Sequence, residues 1–212
     1  MSRAAAVKHG YTSGARTLAS RSVVGLSRTR ITPNALTTAG VLLCLAASII
    51  VLFESRNEVL FYWVGATVFV LGSLLDILDG ALARAGGKST PFGAFMDSTT
   101  DRISEGFMLT AIAYILAKHH HPVFVVVVMA GVAGSFLVSY TRARAEALGL
   151  RGDVGIGSRA ERVVVITAGL VLAPWGVLPW AIVLLACTAW VTVGQRVLYV
   201  RKQLLSNGGN QS

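Results

Sequence analysis

Residues 76–84 read Asp76-Ile-Leu-Asp79-Gly80-Ala-Leu-Ala83-Arg84, and after a gap of eight residues the chain continues Gly93-Ala-Phe-Met-Asp97-Ser-Thr-Thr-Asp101. On a helix, Asp76, Asp79, Gly80, Ala83 and Arg84 fall at i, i+3, i+4, i+7 and i+8, which is one face. Gly93, Asp97 and Asp101 fall at i, i+4 and i+8, again one face. Both stretches lie in blocks that are otherwise apolar, 59–83 and 92–117. An ionised carboxylate facing lipid costs about 2.5–3.5 kcal/mol on an insertion scale, so four would cost on the order of 10 kcal/mol. The four aspartates must therefore face a polar interior and meet cations. The link between the blocks is short and holds Gly86-Gly87, which predicts antiparallel neighbouring helices and four carboxylates converging between them.

The rest of the chain fits a membrane setting. It has 212 residues, 54% hydrophobic and only 14% charged, where a soluble domain carries about a quarter charged. Mean hydropathy is +0.65. A disordered chain is excluded. Cys44 and Cys187 lie inside apolar blocks and suggest neither a disulfide framework nor a metal knuckle. The net charge of +9 is read as basic flanks of membrane spans facing anionic lipid, with no nucleic-acid partner.

Six spans are expected, at about 35–53, 59–83, 92–117, 123–143, 162–173 and 180–199, the fifth being the weakest. Of the 19 Lys and Arg, all but Arg56 and Lys118 then fall on one side. Both termini and the aspartate site are thus expected on the cytoplasmic side of the cell membrane. Residues 1–33 mix basic and apolar residues without the apolar core of a signal peptide, and are expected to form an interfacial amphipathic helix. The catalytic domain is expected over 34–204, followed by a flexible tail at 205–212. The fold class is all-α: six transmembrane helices plus the interfacial helix.

Hard oxygen ligands without Cys or His point to Mg²⁺, Mn²⁺ or Ca²⁺ rather than zinc. Two metal ions about 3.5–4 Å apart suit four carboxylates. Gly80 and Ala83 leave a groove beside them for a phosphorylated group. A salt-bridge network with Arg84 and Arg102 would leave two aspartates uncompensated, which is costly in an apolar setting. A divalent-cation transporter is the remaining reading of another class. It is disfavoured because the acids cluster toward one membrane face. Glu105, one turn beyond Asp101, is either a partner of that site or a helix-packing group. His119, His120 and His121 are expected in a solvated loop.

The two stretches resemble the signature of the CDP-alcohol phosphotransferases, DxxDGxxAR…GxxxDxxxD, at every defined position. Members of that family displace CMP from a CDP-linked lipid or alcohol by attack of an acceptor hydroxyl. The resemblance implies that Asp76, Asp79, Asp97 and Asp101 bind two Mg²⁺ ions, with Mn²⁺ as a substitute. It makes Asp101 the general base. It implies that Asp79, Gly80, Ala83, Arg84, Thr90 and Gly93 contact the CDP-lipid, together with Asn34 and Thr37 from the segment Thr32-Pro33-Asn34-Ala35-Leu36-Thr37. It also implies a homodimer. The chemistry agrees with the residues, since phosphoryl transfer needs charge neutralisation and positioning more than covalent help.

Two further features bear on the acceptor. The stretch Asp97-Ser-Thr-Thr-Asp101-Arg102 lacks the D-P-x-x-D-K pattern of glycerophosphate-using relatives. Ser139-Tyr140-Thr141-Arg142-Ala143-Arg144-Ala145-Glu146, followed by Arg159-Ala160-Glu161-Arg162, is similar to the actinobacterial phosphatidylinositol phosphate synthases. In those, a lysine is common at the position of Arg142 and a proline stands at that of Ala160. By that resemblance the substrates are CDP-diacylglycerol and inositol 1-phosphate, and Arg142, Arg162 and Arg196 bind the acceptor's phosphate. An arginine cluster beside a metal site suits a phosphate dianion on physical grounds as well. The alternatives are glycerol 3-phosphate or another alcohol as acceptor, and arginines that only anchor the helices at the interface.

Overall fold

The structure, a computed structural model, describes residues 33–85 and 90–208. Among the described residues six helices follow one another: α1 (Pro33–Val51), α2 (Glu58–Ala85), α3 (Pro91–Lys118), α4 (Pro122–Ala147), α5 (Arg159–Val171) and α6 (Leu178–Gly208), with a 3₁₀ turn, Ala173–Trp175, before the last. The described residues form no strand. The interfacial helix expected at residues 1–33 lies, but for Pro33, outside the described residues.

Four helices are long and apolar enough to cross a membrane, at Asn34–Val51, Glu58–Leu82, Pro122–Ala147 and Leu178–Ser206. The other two differ for physical reasons. The N-terminal half of α3 carries Asp97, Asp101 and Arg102, and Glu105 follows just beyond it. Helix α5 has only 13 residues, a rise of about 20 Å, so it spans a hydrocarbon core of about 30 Å only together with the 3₁₀ turn Ala173–Trp175 that continues it.

Helix α1 packs closely on α2 and also on α3, whereas α2 and α3 make little direct contact with each other. The expectation of two neighbouring helices is thus modified. The two helices nevertheless bring carboxylate oxygens of Asp76, Asp97 and Asp101 within 4.8 Å of one another. The α1–α2 contact is set by glycines. A Cβ on Gly72 would lie 2.7 Å from the Gly40 carbonyl oxygen and from Cys44 Sγ, and one on Gly40 would lie 2.9 Å from the Gly72 carbonyl oxygen. The backbones approach to a distance that only glycine permits.

The apolar core lies away from the carboxylates. Phe69 of α2, Met108, Leu109, Ile112 and Ile115 of α3, Ile166 and Leu170 of α5, and Ile182 and Leu185 of α6 are fully buried. At the far end of α2 and α3 from the aspartates, Glu54 in the α1–α2 turn is buried. It accepts from Lys118 Nζ at 3.0 and 3.2 Å, from Ser55 N at 2.7 Å, and pairs with His119 Nε2 at 3.0 Å. His119 therefore has a structural partner and is not wholly a solvated loop residue.

Helix α6 holds the loop that joins α4 to α5. Gln203 exchanges two hydrogen bonds with the Arg151 backbone, at 3.0 and 2.8 Å. Arg196 Nε donates to the Val154 carbonyl at 2.8 Å, and Thr192 Oγ1 accepts from Gly157 N at 2.8 Å. Gly155 has φ +120°, and a Cβ there would meet Thr192 Cγ2 at 2.3 Å. The loop is thus fixed where it enters α5.

Candidate active site

The site is built from the C-terminal end of α2 and the N-terminal half of α3. Thr90 caps α3 by accepting from Gly93 N at 3.0 Å, with Pro91 in the first turn, where its missing N–H costs nothing. The cap starts the helix in a register that aligns Asp97, Asp101 and Glu105. Carboxylate oxygens of Asp76, Asp97 and Asp101 all lie within 4.8 Å of one another. Asp76 is 5% exposed and Asp79 3%, so α2 presents both to the interior.

Asp79 stands apart from the three. Its Oδ2 accepts a hydrogen bond from the Thr37 hydroxyl of α1. Its Oδ1 is buried without a hydrogen-bond partner. The Gly40–Gly72 approach brings Thr37, one turn before Gly40, within reach of Asp79. Asn34, in the first turn of α1, is exposed. Gly80 is half-buried on α2. The side chains of Ala83 and Arg84 lie outside the described part of the structure.

Among the described residues, the cation that meets the cluster comes from α5. Arg159 Nη1 hydrogen-bonds to Asp76 Oδ2 and lies 2.7 Å from Asp101 Oδ1, a contact without hydrogen-bond alignment. No motif in the sequence singles out Arg159. A local signal is present: Ser158 and Glu161 have the spacing of a helix start, and Glu161 Oε2 accepts from Ser158 N at 2.6 Å. That start makes Arg159 the first residue of α5 and sets Arg162 one turn on, on the same side. Arg162 is 4% exposed. It forms a fork with Glu105, Nε to Oε1 at 2.7 Å and Nη2 to Oε2 at 2.8 Å, and donates from Nη1 to the Gly157 carbonyl at 2.9 Å. Such a planar, bidentate pair is specific to arginine. Glu105 is therefore a packing partner of Arg162.

The three arginines expected to bind a phosphate have different surroundings. Arg142 is exposed and pairs with Glu146 at 2.8 Å across one helical turn. Arg196 is 7% exposed and donates to the carbonyls of Val138 and Val154. Neither Arg162 nor Arg196 commits all of its N–H donors to these partners. The donor set of Asp76, Asp97 and Asp101, with the orphaned Asp79 Oδ1 nearby on α2, contains only hard oxygens and fits a divalent metal ion.

The sequence profile of the CDP-alcohol phosphatidyltransferases matches residues 30–194. The chain belongs to the CDP-alcohol phosphatidyltransferase family, and is a membrane enzyme of that class. It is 37% identical over 175 residues to the archaetidylinositol phosphate synthase of Pyrococcus horikoshii, covering 82% of this chain and 86% of that protein. It is 39% identical over 181 residues to the phosphatidylinositol phosphate synthase of Mycolicibacterium smegmatis, covering 82% and 79%. The crystal structure of the Mycobacterium tuberculosis phosphatidylinositol phosphate synthase with CDP-DAG bound superposes with a TM-score of 0.76 at 32% identity, covering 87% of this chain and 94% of that one. A second structure of that enzyme, in complex with manganese and citrate, gives 0.75 at 34% identity, covering 86% and 88%.

Proposed function

We propose that this protein transfers the phosphatidyl group of CDP-diacylglycerol to a hydroxyl of inositol 1-phosphate, giving phosphatidylinositol phosphate and CMP. One observation carries the reading: three carboxylates within 4.8 Å of one another stand beside Arg159, on a helix whose next turn brings Arg162. A metal site flanked by guanidinium groups favours a phosphorylated acceptor over a free polyol or an amine. The relatives support the same acceptor, because the archaeal and mycobacterial enzymes are named for different lipids and both for inositol phosphate.

Asp76, Asp79, Asp97 and Asp101 hold two Mg²⁺ ions in this reading, and Mn²⁺ suits the same oxygens. When bound, the metal neutralises diphosphate charge and stabilises the departing CMP. Asn34, Thr37, Asp79, Gly80, Ala83, Arg84, Thr90 and Gly93 bind the CDP-lipid. Asp101 takes the proton of the acceptor hydroxyl on a carboxylate oxygen as that hydroxyl attacks the lipid-side phosphorus. The new P–O bond forms while the bond to the bridging oxygen breaks, and CMP leaves with the electron pair. Arg142 grips the acceptor's phosphate, with the remaining donors of Arg162 and Arg196 behind it.

The same reading places six spans in the cell membrane, with the N-terminal helix in the interface and both termini and the site cytoplasmic. It takes the active protein to be a homodimer. The test is CMP release by purified protein in detergent with CDP-diacylglycerol and Mg²⁺, given inositol 1-phosphate, glycerol 3-phosphate, free inositol or serine. Turnover with inositol 1-phosphate alone is expected. Turnover with glycerol 3-phosphate instead would overturn the acceptor and leave the reaction class intact.

A further inference from the structure

We infer that Arg159 is a resident counter-cation of the carboxylate cluster, which competes with the divalent metal and is displaced from Asp76 and Asp101 when metal binds. The inference rests on the reading that Asp76, Asp97 and Asp101 hold that metal. Arg159 Nη1 engages Asp76 Oδ2 and lies 2.7 Å from Asp101 Oδ1, so it addresses two of the three carboxylates that lie within 4.8 Å of one another. A guanidinium and a divalent cation cannot sit against the same oxygens without strong like-charge repulsion.

Two other nearby arginines are turned elsewhere. Arg102, beside Asp101 in sequence, donates back along its own helix to the Ser98 carbonyl. Arg162 is held by Glu105 and the Gly157 carbonyl. Arg159 is also placed so that its side chain moves while its backbone does not. The helix start is pinned by Gly157 N on Thr192, by Ser158 N on Glu161 and by the Arg162–Glu105 fork. The Arg159 side chain nevertheless keeps 26% exposure and that of Asp101 18%, which leaves the guanidinium a way out. Two consequences follow. Arg159 stabilises the metal-free protein by offsetting repulsion among buried acids, and it weakens metal binding by the work of moving it.

The test measures Mn²⁺ binding to the purified full-length protein from the loss of the free-ion electron paramagnetic resonance signal, alongside thermal unfolding in chelator and in Mn²⁺. Arg159→Gln should bind Mn²⁺ at least about tenfold more tightly than the parent. It should unfold at a lower temperature in chelator and gain more from Mn²⁺. Arg159→Lys should show a smaller gain in affinity, and it supplies the comparison if the glutamine variant does not fold. Adding Asp101→Asn should abolish the tight binding, which locates it. Unchanged or weaker binding in both Arg159 variants, with normal binding in the parent, would overturn the inference alone. Absence of binding in the parent and both variants would remove the metal reading and this inference with it.

Discussion

The molecule buries acids at both ends of α2 and α3, and the two ends treat them differently. Glu54 is a single carboxylate with Lys118, His119 and the Ser55 N–H around it. At the other end, Asp76, Asp97 and Asp101 crowd within 4.8 Å of one another with Arg159 as their interhelical cation, and Asp79 keeps an unpartnered buried oxygen. Burying a charge is tolerated when partners satisfy it. The Glu54 end meets that condition with protein groups alone and so reads as architecture. At the aspartate end Asp79 Oδ1 and Asp101 Oδ1 are buried without a hydrogen bond among the described residues, and hard oxygens left in that state suit a divalent cation.

The largest difference between the ends should appear in catalysis. Asp101→Asn preserves shape but removes the proposed proton acceptor, and CMP release should fall by about 10³-fold. Glu54→Gln should leave turnover within about twofold, because Glu54 is remote from the reacting groups. Equal losses in the two variants, measured at saturating substrates, would break the contrast. The next effect is on stability, at the Glu105–Arg162 fork, which joins α3 to α5 beside the site. Arg162→Met strands a buried carboxylate and should cost about 3 kcal/mol in detergent unfolding. The double variant Glu105→Leu/Arg162→Met should recover much of that stability without recovering activity, since the Arg162 donors proposed to face the acceptor's phosphate would still be missing.

The helices were legible because hydrophobic blocks and carboxylate spacing report on the same membrane-embedded segments. Their ends were less so. Hydropathy marks what faces lipid, not where a helix stops, and α6 continues through Arg201 and Lys202 to Gly208. Helix α5 starts at Arg159, ahead of its apolar stretch, because Ser158 and Glu161 begin it. The carboxylate face followed from helical spacing alone. The partner of that face did not, because Arg159 is 83 residues from Asp76 in sequence and nothing local announces the contact. The family resemblance makes Thr37 and Asp79 separate contacts to the CDP-lipid, yet in the structure they contact one another. That pairing depends on how closely α1 approaches α2, which Gly40 and Gly72 set and which no single-helix pattern encodes.

That close approach gives a third test. Gly72→Ala places a methyl group against the Gly40 carbonyl and Cys44 Sγ, where a Cβ would stand at 2.7 Å from each. The helices must part by several tenths of an ångström, at a cost of about 1–3 kcal/mol. Thr37 then withdraws from Asp79. The KM for CDP-diacylglycerol should rise about threefold or more while the KM for the acceptor stays unchanged. A loss of stability with both constants unchanged would separate the glycine contact from the site.

The smallest effect concerns the satisfied end. Burial pushes the Glu54 carboxyl upward, but the hydrogen bonds from Lys118, His119 and Ser55 outweigh it and hold the group below its ordinary value of 4.5. A group whose value is lowered by folding binds its proton more readily in the unfolded chain. Its stabilisation is therefore complete above about pH 4.5 and is lost as the pH falls through the lower folded value. Lys118 and His119 are partly exposed, so solvent screens the pairing and the effect should be modest, about 2 °C in Tm. In Glu54→Gln the Tm should lie below that of the parent at pH 7, and the gap should narrow as the pH falls below about 4.5. A gap that stays unchanged as the pH falls would mean that shape and packing at Glu54, rather than its charge, close this end of the bundle.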